Sequence, residues 1–154
     1  MTMQPDDFLQ AEITLDDIEP WADLLPGDCR ILGANLFADV FLSDADGTVH
    51  QLDIGAGGIS VIAATEDEFR QRCIEDEELW LLRPLIAHCR DAGLIPGPQE
   101  CYAYKVMPMF KEGSYDPDNI EVRPLKAWLS FAGTLYRETR TLPSGATVEL
   151  RVND

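Results

Sequence analysis

The sequence predicts an α+β fold, a largely antiparallel β-sheet packed with two to four helices in a single domain spanning residues 1–154. Three observations carry that expectation. Apolar residues alternate with period two between about residues 36 and 63, with an Asp-Gly turn inside the run. Helical spacing with recognisable caps replaces the alternation over residues 65–92. Alternation then returns after residue 102. A chain of 154 residues is about one ordinary domain and can bury a core without crosslinks.

Taken in order, residues 14–25 read as a short helix in an acidic N-terminal segment, 1–29. Thr14 is a suitable N-cap, Asp16 and Asp17 occupy the favourable first turn, and Trp21, Leu24 and Leu25 form an apolar stripe. Pro20 interrupts the pattern, and Pro26-Gly27 ends it. Leu36 to Ser43 reads as a strand, and Asp44-Ala45-Asp46-Gly47 turns the chain into Thr48 to Ile54, because Gly accepts positive φ without steric cost. A third strand, Ile59 to Ala63, follows Gly55-Ala56-Gly57-Gly58. Thr65 and Glu68 fit a capping box, with Phe69 and Cys73 one turn apart on the inner face of the helix they open. Residues 76–92 read as a further helix, with Leu82, Ile86 and Cys89 on one face, a kink at Pro84 and Gly93 as C-cap. Strands are expected at Tyr102–Val106, Lys126–Phe131, Thr134–Arg140 and around Val148, Leu150 and Val152, with turns at Ala132-Gly133 and Pro143-Ser144-Gly145.

Charge is the outlying property. Lys plus Arg number 12 against 28 Asp plus Glu, a formal net charge of −16. Small soluble domains do well at a magnitude of about 2–8. Such a chain is repelled by phosphate backbones and anionic membranes, so direct nucleic-acid and membrane binding are not expected. The imbalance is also uneven. Residues 1–100 hold 21 acids and 5 bases, whereas residues 101–154 hold 7 of each. Eight acids precede the first base, Arg30, and a second cluster runs through Glu66-Asp67-Glu68 to Glu75-Asp76-Glu77-Glu78. A one-sided acidic face, and with it a cationic partner, is the expectation. No apolar run approaches the ~18–20 residues of a membrane span. The first residues lack the basic flank and apolar stretch of a signal peptide, which points to the cytoplasm.

No catalytic constellation emerges, and no cofactor or metal is expected. The four cysteines, Cys29, Cys73, Cys89 and Cys101, form no Cys-x-x-Cys pair and read as reduced, mostly buried thiols. Asp44-x-Asp46-Gly47 has its Gly at the wrong position for a calcium loop and reads as a hairpin turn. The glycines at 55, 57 and 58 are followed by neither Lys-Ser/Thr nor a helix start, so they are no phosphate cradle. His88-Cys89 is no nucleophile–base pair, because neighbouring helical residues do not face each other. Only a deep pocket lined by Tyr102, Tyr104 and His50 would favour a small-ligand enzyme. Met107, Met109, Phe110 and Tyr115, on a long loop-like segment, are either interface anchors or core residues under the loop.

Several stretches together resemble a known family. Asn35-Leu36-Phe37-Ala38-Asp39-Val40-Phe41-Leu42, Asp46-Gly47, Leu52-Asp53-Ile54 and Glu68-Phe69 look like the first half of the C-terminal domain of immunity proteins to type VI secretion DNase toxins. Cys101-Tyr102-Ala103-Tyr104-Lys105 with Pro108, Gly113 and Asp118-Asn119-Ile120-Glu121-Val122 is similar to its central motif. Leu129-Ser130-Phe131-Ala132-Gly133 and Leu142-Pro143-Ser144-Gly145 resemble its closing segment. The likeness covers about residues 30–148. It implies a non-enzymatic immunity protein that neutralises a toxic effector, with a cognate toxin of basic surface as partner. The charge fits that implication, since a nuclease presents a basic cleft to DNA. The expected contacts are Asp16, Asp17, Glu19, Glu75, Asp76, Glu77 and Glu78, with Trp21 and Trp80 either anchors or core residues. The alternative is a regulatory or scaffold module that binds another basic intracellular protein.

Overall fold

A computed structural model of the chain describes residues 8–9, 12–75, 80–143 and 145–146. Four consecutive strands, β1 (Arg30–Ala34), β2 (Val40–Ser43), β3 (Val49–Asp53) and β4 (Gly58–Ala63), form an antiparallel meander in that spatial order. Helix α1 (Glu66–Glu75) and helix α2 (Arg83–Asp91) follow. A second, two-stranded antiparallel sheet pairs β5 (Glu100–Tyr104) with β6 (Ile120–Pro124), and helix α3 (Leu125–Thr139) comes last. A 3-10 helix, Leu15–Leu24, packs along α3. The α+β class and the antiparallel pairing match the sequence reading.

Strand register sorts the side chains into two cores. Val40 lies opposite Leu52 and Leu42 opposite His50, while Phe41 and Ser43 face the other way, opposite Gln51 and Val49. Val40, Leu42 and Leu52 join the larger core with Trp21, Phe37, Tyr102, Tyr104, Trp128 and Leu129. Phe41, Val49 and Ala63 join a smaller one with Phe69, Cys73, Trp80 and Leu81. The sheet is therefore covered on both faces, and all four residues of β2 are buried. The N-cap half of the expected capping box forms, Glu68 N–H donating to Thr65 Oγ1 at 3.1 Å, while Glu68 Oε2 accepts from the N–H of Ala64, one residue before the cap, at 3.0 Å.

Several expectations are corrected. Lys126–Phe131 and Thr134–Arg140 are not strands but parts of α3. Its buried residues, Leu125, Trp128, Leu129, Ala132, Gly133, Leu135 and Tyr136, recur at helical spacing, so the local alternation was incidental. Gly133 is not a turn. A Cβ there would lie 2.6 Å from Pro20 Cγ, so glycine permits the close approach of α3 and the 3-10 helix. Pro84 does not kink a helix but sits in the first turn of α2, where its missing N–H costs nothing. Residues 14–25 are helical as expected, but as a 3-10 helix bent at Ile18, which accommodates Pro20. Strand β2 begins only at Val40, because Leu36–Asp39 form a turn with Ala38 at φ +67°. Strands β1 and β6 were not anticipated: Arg30-Ile31-Leu32-Gly33-Ala34 shows no alternation, and Ile120–Pro124 lay within an apparent loop. The strand around Val148, Leu150 and Val152 lies outside the described residues.

Candidate partner-binding surface

The N-terminal acids meet the C-terminal bases. Lys126 Nζ lies 2.6 Å from Asp17 Oδ2, Arg137 pairs with Glu19, and Arg140 Nη1 lies 3.1 Å from Asp23 Oδ2. The Tyr136 hydroxyl also donates to Asp23, at 3.0 Å. Burial draws the Asp17 carboxyl upward, but hydrogen bonds from Lys126, the Thr14 N–H and the Thr14 hydroxyl outweigh it and hold Asp17 below its ordinary value. Beneath these pairs Trp21 stacks on Tyr136 with centroids 6.0 Å apart. The 3-10 helix and α3 thus form a seam that engages Asp17 and Glu19 internally. Of the expected contacts on this helix, Asp16 alone is exposed and without a cation among the described residues.

Neither tryptophan is a surface anchor. Trp21 is fully buried in the seam, and Trp80 is 8% exposed, stacked on Phe69 at 5.8 Å in the smaller core. Each ring closes a gap between elements: Trp21 between the 3-10 helix and α3, and Trp80 between α1 and the sheet. Glu75 is exposed at the end of α1, where Gln71 Nε2 donates to it at 2.8 Å. Asp76, Glu77 and Glu78 lie outside the described residues.

Register brings a different set of acids together. One row of paired residues, Arg30–Ser43–Val49–Ala63, crosses all four strands at one end of the sheet. The segments that leave this end carry Asp28 before β1, Asp44 and Asp46 in the β2–β3 turn, and Glu66, Asp67 and Glu68 after β4. Arg30 and Arg70 pair with Glu66, and Arg72 Nη2 lies 2.9 Å from Glu68 Oε1. Asp44 Oδ2 lies 2.9 Å from His50 Nε2; that contact, with the Thr48 and Asp46 N–H groups, outweighs desolvation and holds its carboxyl below the ordinary value. Asp28, Asp46 and Asp67 are exposed and have no cation partner among the described residues. These rim acids were not among the expected contacts. The hairpin turn and the capping box, read together, were the signal: both place acids at the same end of the sheet.

Two further acids are turned inward. Asp39 is 4% exposed, and both of its oxygens accept hydrogen bonds, from Ile54 N–H at 3.0 Å and from Asn35 Nδ2 at 3.0 Å. Desolvation, then the nearby Asp53 carboxylate, pushes its pKa up to about 8. Burial raises Asp53 as well, opposed by the N–H groups of Ala56 and Gly55. Asn35 completes the unit: its Oδ1 accepts from Phe37 and Asp39 N–H, and its Nδ2 also donates to Trp80 O at 3.0 Å. This network ties the β1–β2 connection to the end of β3 and to the segment after α1. Its task is architectural.

His88 and Cys89 do not form a nucleophile–base pair. Cys89 is buried whereas His88 is exposed, and Cys101 is driven up to about 12 by desolvation and then by Glu100 and Asp39. Tyr102 and Tyr104 pack on Phe37 in the larger core, and the Tyr102 hydroxyl donates to Leu94 O at 2.6 Å. On the long segment after β5, Met107 is buried and Tyr115 is exposed, its ring set edge-on to Tyr104 at 5.6 Å. No group of three or more His, Cys, Asp or Glu side chains among the described residues is placed to hold a metal ion. No helix among them is long and apolar enough to cross a membrane. The sequence matches no protein-family model and no curated protein.

Proposed function

We propose that this chain is a non-catalytic immunity protein of the cytoplasm, which binds and neutralises a basic toxic effector, a nuclease of the kind delivered by type VI secretion. The observation that carries the reading is the charge surplus that survives folding. Of the net −16, the seam cancels only a few carboxylates, while Asp16, Asp28, Asp46 and Asp67 remain exposed and unpaired among the described residues. The motifs that resemble the immunity family support it from the other side. Asn35 and Asp39 within them form a buried scaffold, so the likeness lies in architecture and leaves the surface to partner choice.

The mechanism is electrostatic capture followed by occlusion. A nuclease cleft is positive because it must hold phosphates, and an acidic rim competes for the same groups. Opposed potentials raise association toward ~10⁸–10⁹ M⁻¹s⁻¹ at low salt, against ~10⁵–10⁶ for a neutral pair. The test is to co-express the chain with the product of the adjacent gene, purify the complex and titrate DNA cleavage. Stoichiometric loss of cleavage, with association slowed by salt, is expected. No complex, or a salt-independent on-rate, overturns the mechanism; a complex without loss of cleavage favours the regulatory or scaffold reading.

A further inference from the structure

The two edges of the four-stranded sheet are treated differently. The β1 edge is covered by the chain itself: Phe8 bridges to Asn35, Leu9 N–H donates to Ala34 O at 2.9 Å, and the Phe8 ring lies 3.4 Å from where a Gly33 Cβ would stand. The β4 edge has no such cover among the described residues. No backbone group of another described element hydrogen-bonds to the outer side of Gly58–Ala63, and the Arg72 guanidinium reaches only the Ile62 carbonyl, at 3.5 Å.

Exposed edges are ordinarily blunted by charged side chains, proline or bulges, because their unpaired N–H and C=O groups recruit other strands. Gly58-Ile59-Ser60-Val61-Ile62-Ala63 contains no charge and no proline. Its single irregularity is the register shift opposite Val49 and His50, which interrupts the ladder after Val61. The residues before it, Gly58–Val61, form a regular platform whose outer part is open: Ser60 is exposed and Val61 is 64% exposed.

We propose that the outer edge of β4 takes up an extended, cationic segment of the partner protein as a fifth strand. The inference rests on the reading above that the partner is basic. A second copy of this chain is the wrong occupant, because edge-to-edge pairing would bring two bodies of charge −16 into contact. A cationic strand meets the opposite situation. Helix α1 begins three residues beyond β4; Glu66 and Glu68 there are paired with Arg30, Arg70 and Arg72, and Asp67 is exposed with no cation partner among the described residues. Main-chain hydrogen bonds would supply the docking, and Asp67 with the net charge of −16 the choice of a cationic partner.

The test uses the full chain and synthetic peptides read by fluorescence anisotropy: an alternating Lys-Val octapeptide, the same peptide N-methylated at alternate residues, and a Lys-Gly octapeptide of equal charge. The Lys-Val peptide is expected to bind at least about tenfold tighter than either control, the effect of losing one or two hydrogen bonds. Val61→Lys should weaken it by a similar factor, whereas Ile95→Lys, at another exposed apolar position, should not. Equal binding of the methylated and unmodified peptides overturns the proposal, as does concentration-dependent dimerisation that Val61→Lys abolishes. The peptide comparison is made on the native chain, so it decides even if a variant fails to fold. Were Val61→Lys to leave neutralisation of a nuclease intact, the edge would be wrong and the immunity reading right. Peptide binding without any capture of the adjacent gene product would mean the reverse.

Discussion

Acidic residues at the seam and at the sheet rim look alike in the sequence and end in opposite circumstances. On the 3-10 helix, Asp17, Glu19 and Asp23 face Lys126, Arg137 and Arg140 of the chain's own last helix region. At the rim, Asp28, Asp46 and Asp67 face solvent with no cation among the described residues. The seam acids help to hold the fold, and the rim acids are available to a partner. A run of carboxylates therefore says little about recognition until the cations around it are placed.

The largest blow to that contrast would come from the hydrophobic part of the seam. Trp21→Ala removes a fully buried indole and should cost about 3–5 kcal/mol in urea unfolding, with rim binding retained while the protein stays folded. If Trp21→Ala instead abolished partner binding without changing the unfolding midpoint, the seam would be a contact surface after all.

Next in size is the buried network that ties the β1–β2 connection to the end of β3 and to Trp80. Asn35→Ala strips Phe37 and Asp39 N–H of their acceptor and Trp80 O of a donor, and should cost roughly 2–4 kcal/mol. The neighbouring acid gives the contrast a pH signature. Asp39 binds its proton more tightly when folded than when unfolded, so between the two pKa values the unfolded chain carries fewer protons. Its contribution is fully present below the ordinary Asp range and is lost as pH rises toward about 8. Urea unfolding from pH 4 to 8 should therefore show a decline in the native chain that Asp39→Asn reduces, the remainder belonging to Asp53, which burial also raises. An unchanged slope in the variant would assign the decline to other groups.

The smallest effects on stability separate the two acidic regions most directly. Lys126→Ala and Arg137→Ala should each cost only about 0.2–1 kcal/mol, more at low salt, because these pairs are solvent-exposed. Reversing Asp46 to Lys should change stability by about 0.5 kcal/mol or less, and Asp28→Lys should cost about 0.5–1, since Asp28 sits at φ +53°, where Asp is better tolerated than Lys. Asp67→Lys should cost about 0.3–1, since it also reverses a charge at the start of α1. The three reversals together should slow association with a basic partner by about tenfold or more at low salt. Stopped-flow association is the measurement. Equal slowing on reversal of Asp17 and Glu19 would erase the distinction between seam and rim.

How much was legible follows from the range of each interaction. The β2–β3 hairpin, the Thr65–Glu68 cap, Phe69 and Cys73 beneath it and Gly93 after α2 are all fixed by residues a few positions apart, and each was read correctly. Helix α3 was missed because a six-residue window around Trp128 alternates, and only its full fifteen-residue length shows the helical period. Strand β1 has no local signature at all; it exists because β2 and the Phe8–Leu9 segment flank it. Four of the expected contacts, Asp17, Glu19, Trp21 and Trp80, are engaged within the chain for the same reason. Asp17 and Lys126 are 109 positions apart, and no spacing rule foretells their meeting. Trp21 and Trp80 resembled anchors only because composition does not say which side of a helix the fold will cover.

Gly133 has a consequence for how the molecule is made. Its contact with Pro20 joins two segments 113 positions apart, the 3-10 helix being translated well before α3. Until α3 has left the ribosome, the 3-10 helix has neither a surface for Trp21 nor bases for its carboxylates. During synthesis Asp17, Glu19 and Asp23 therefore stay without Lys126, Arg137 and Arg140 until α3 is made. Closing that junction is then a late event of folding, which ties the order of the 3-10 helix to the completion of α3.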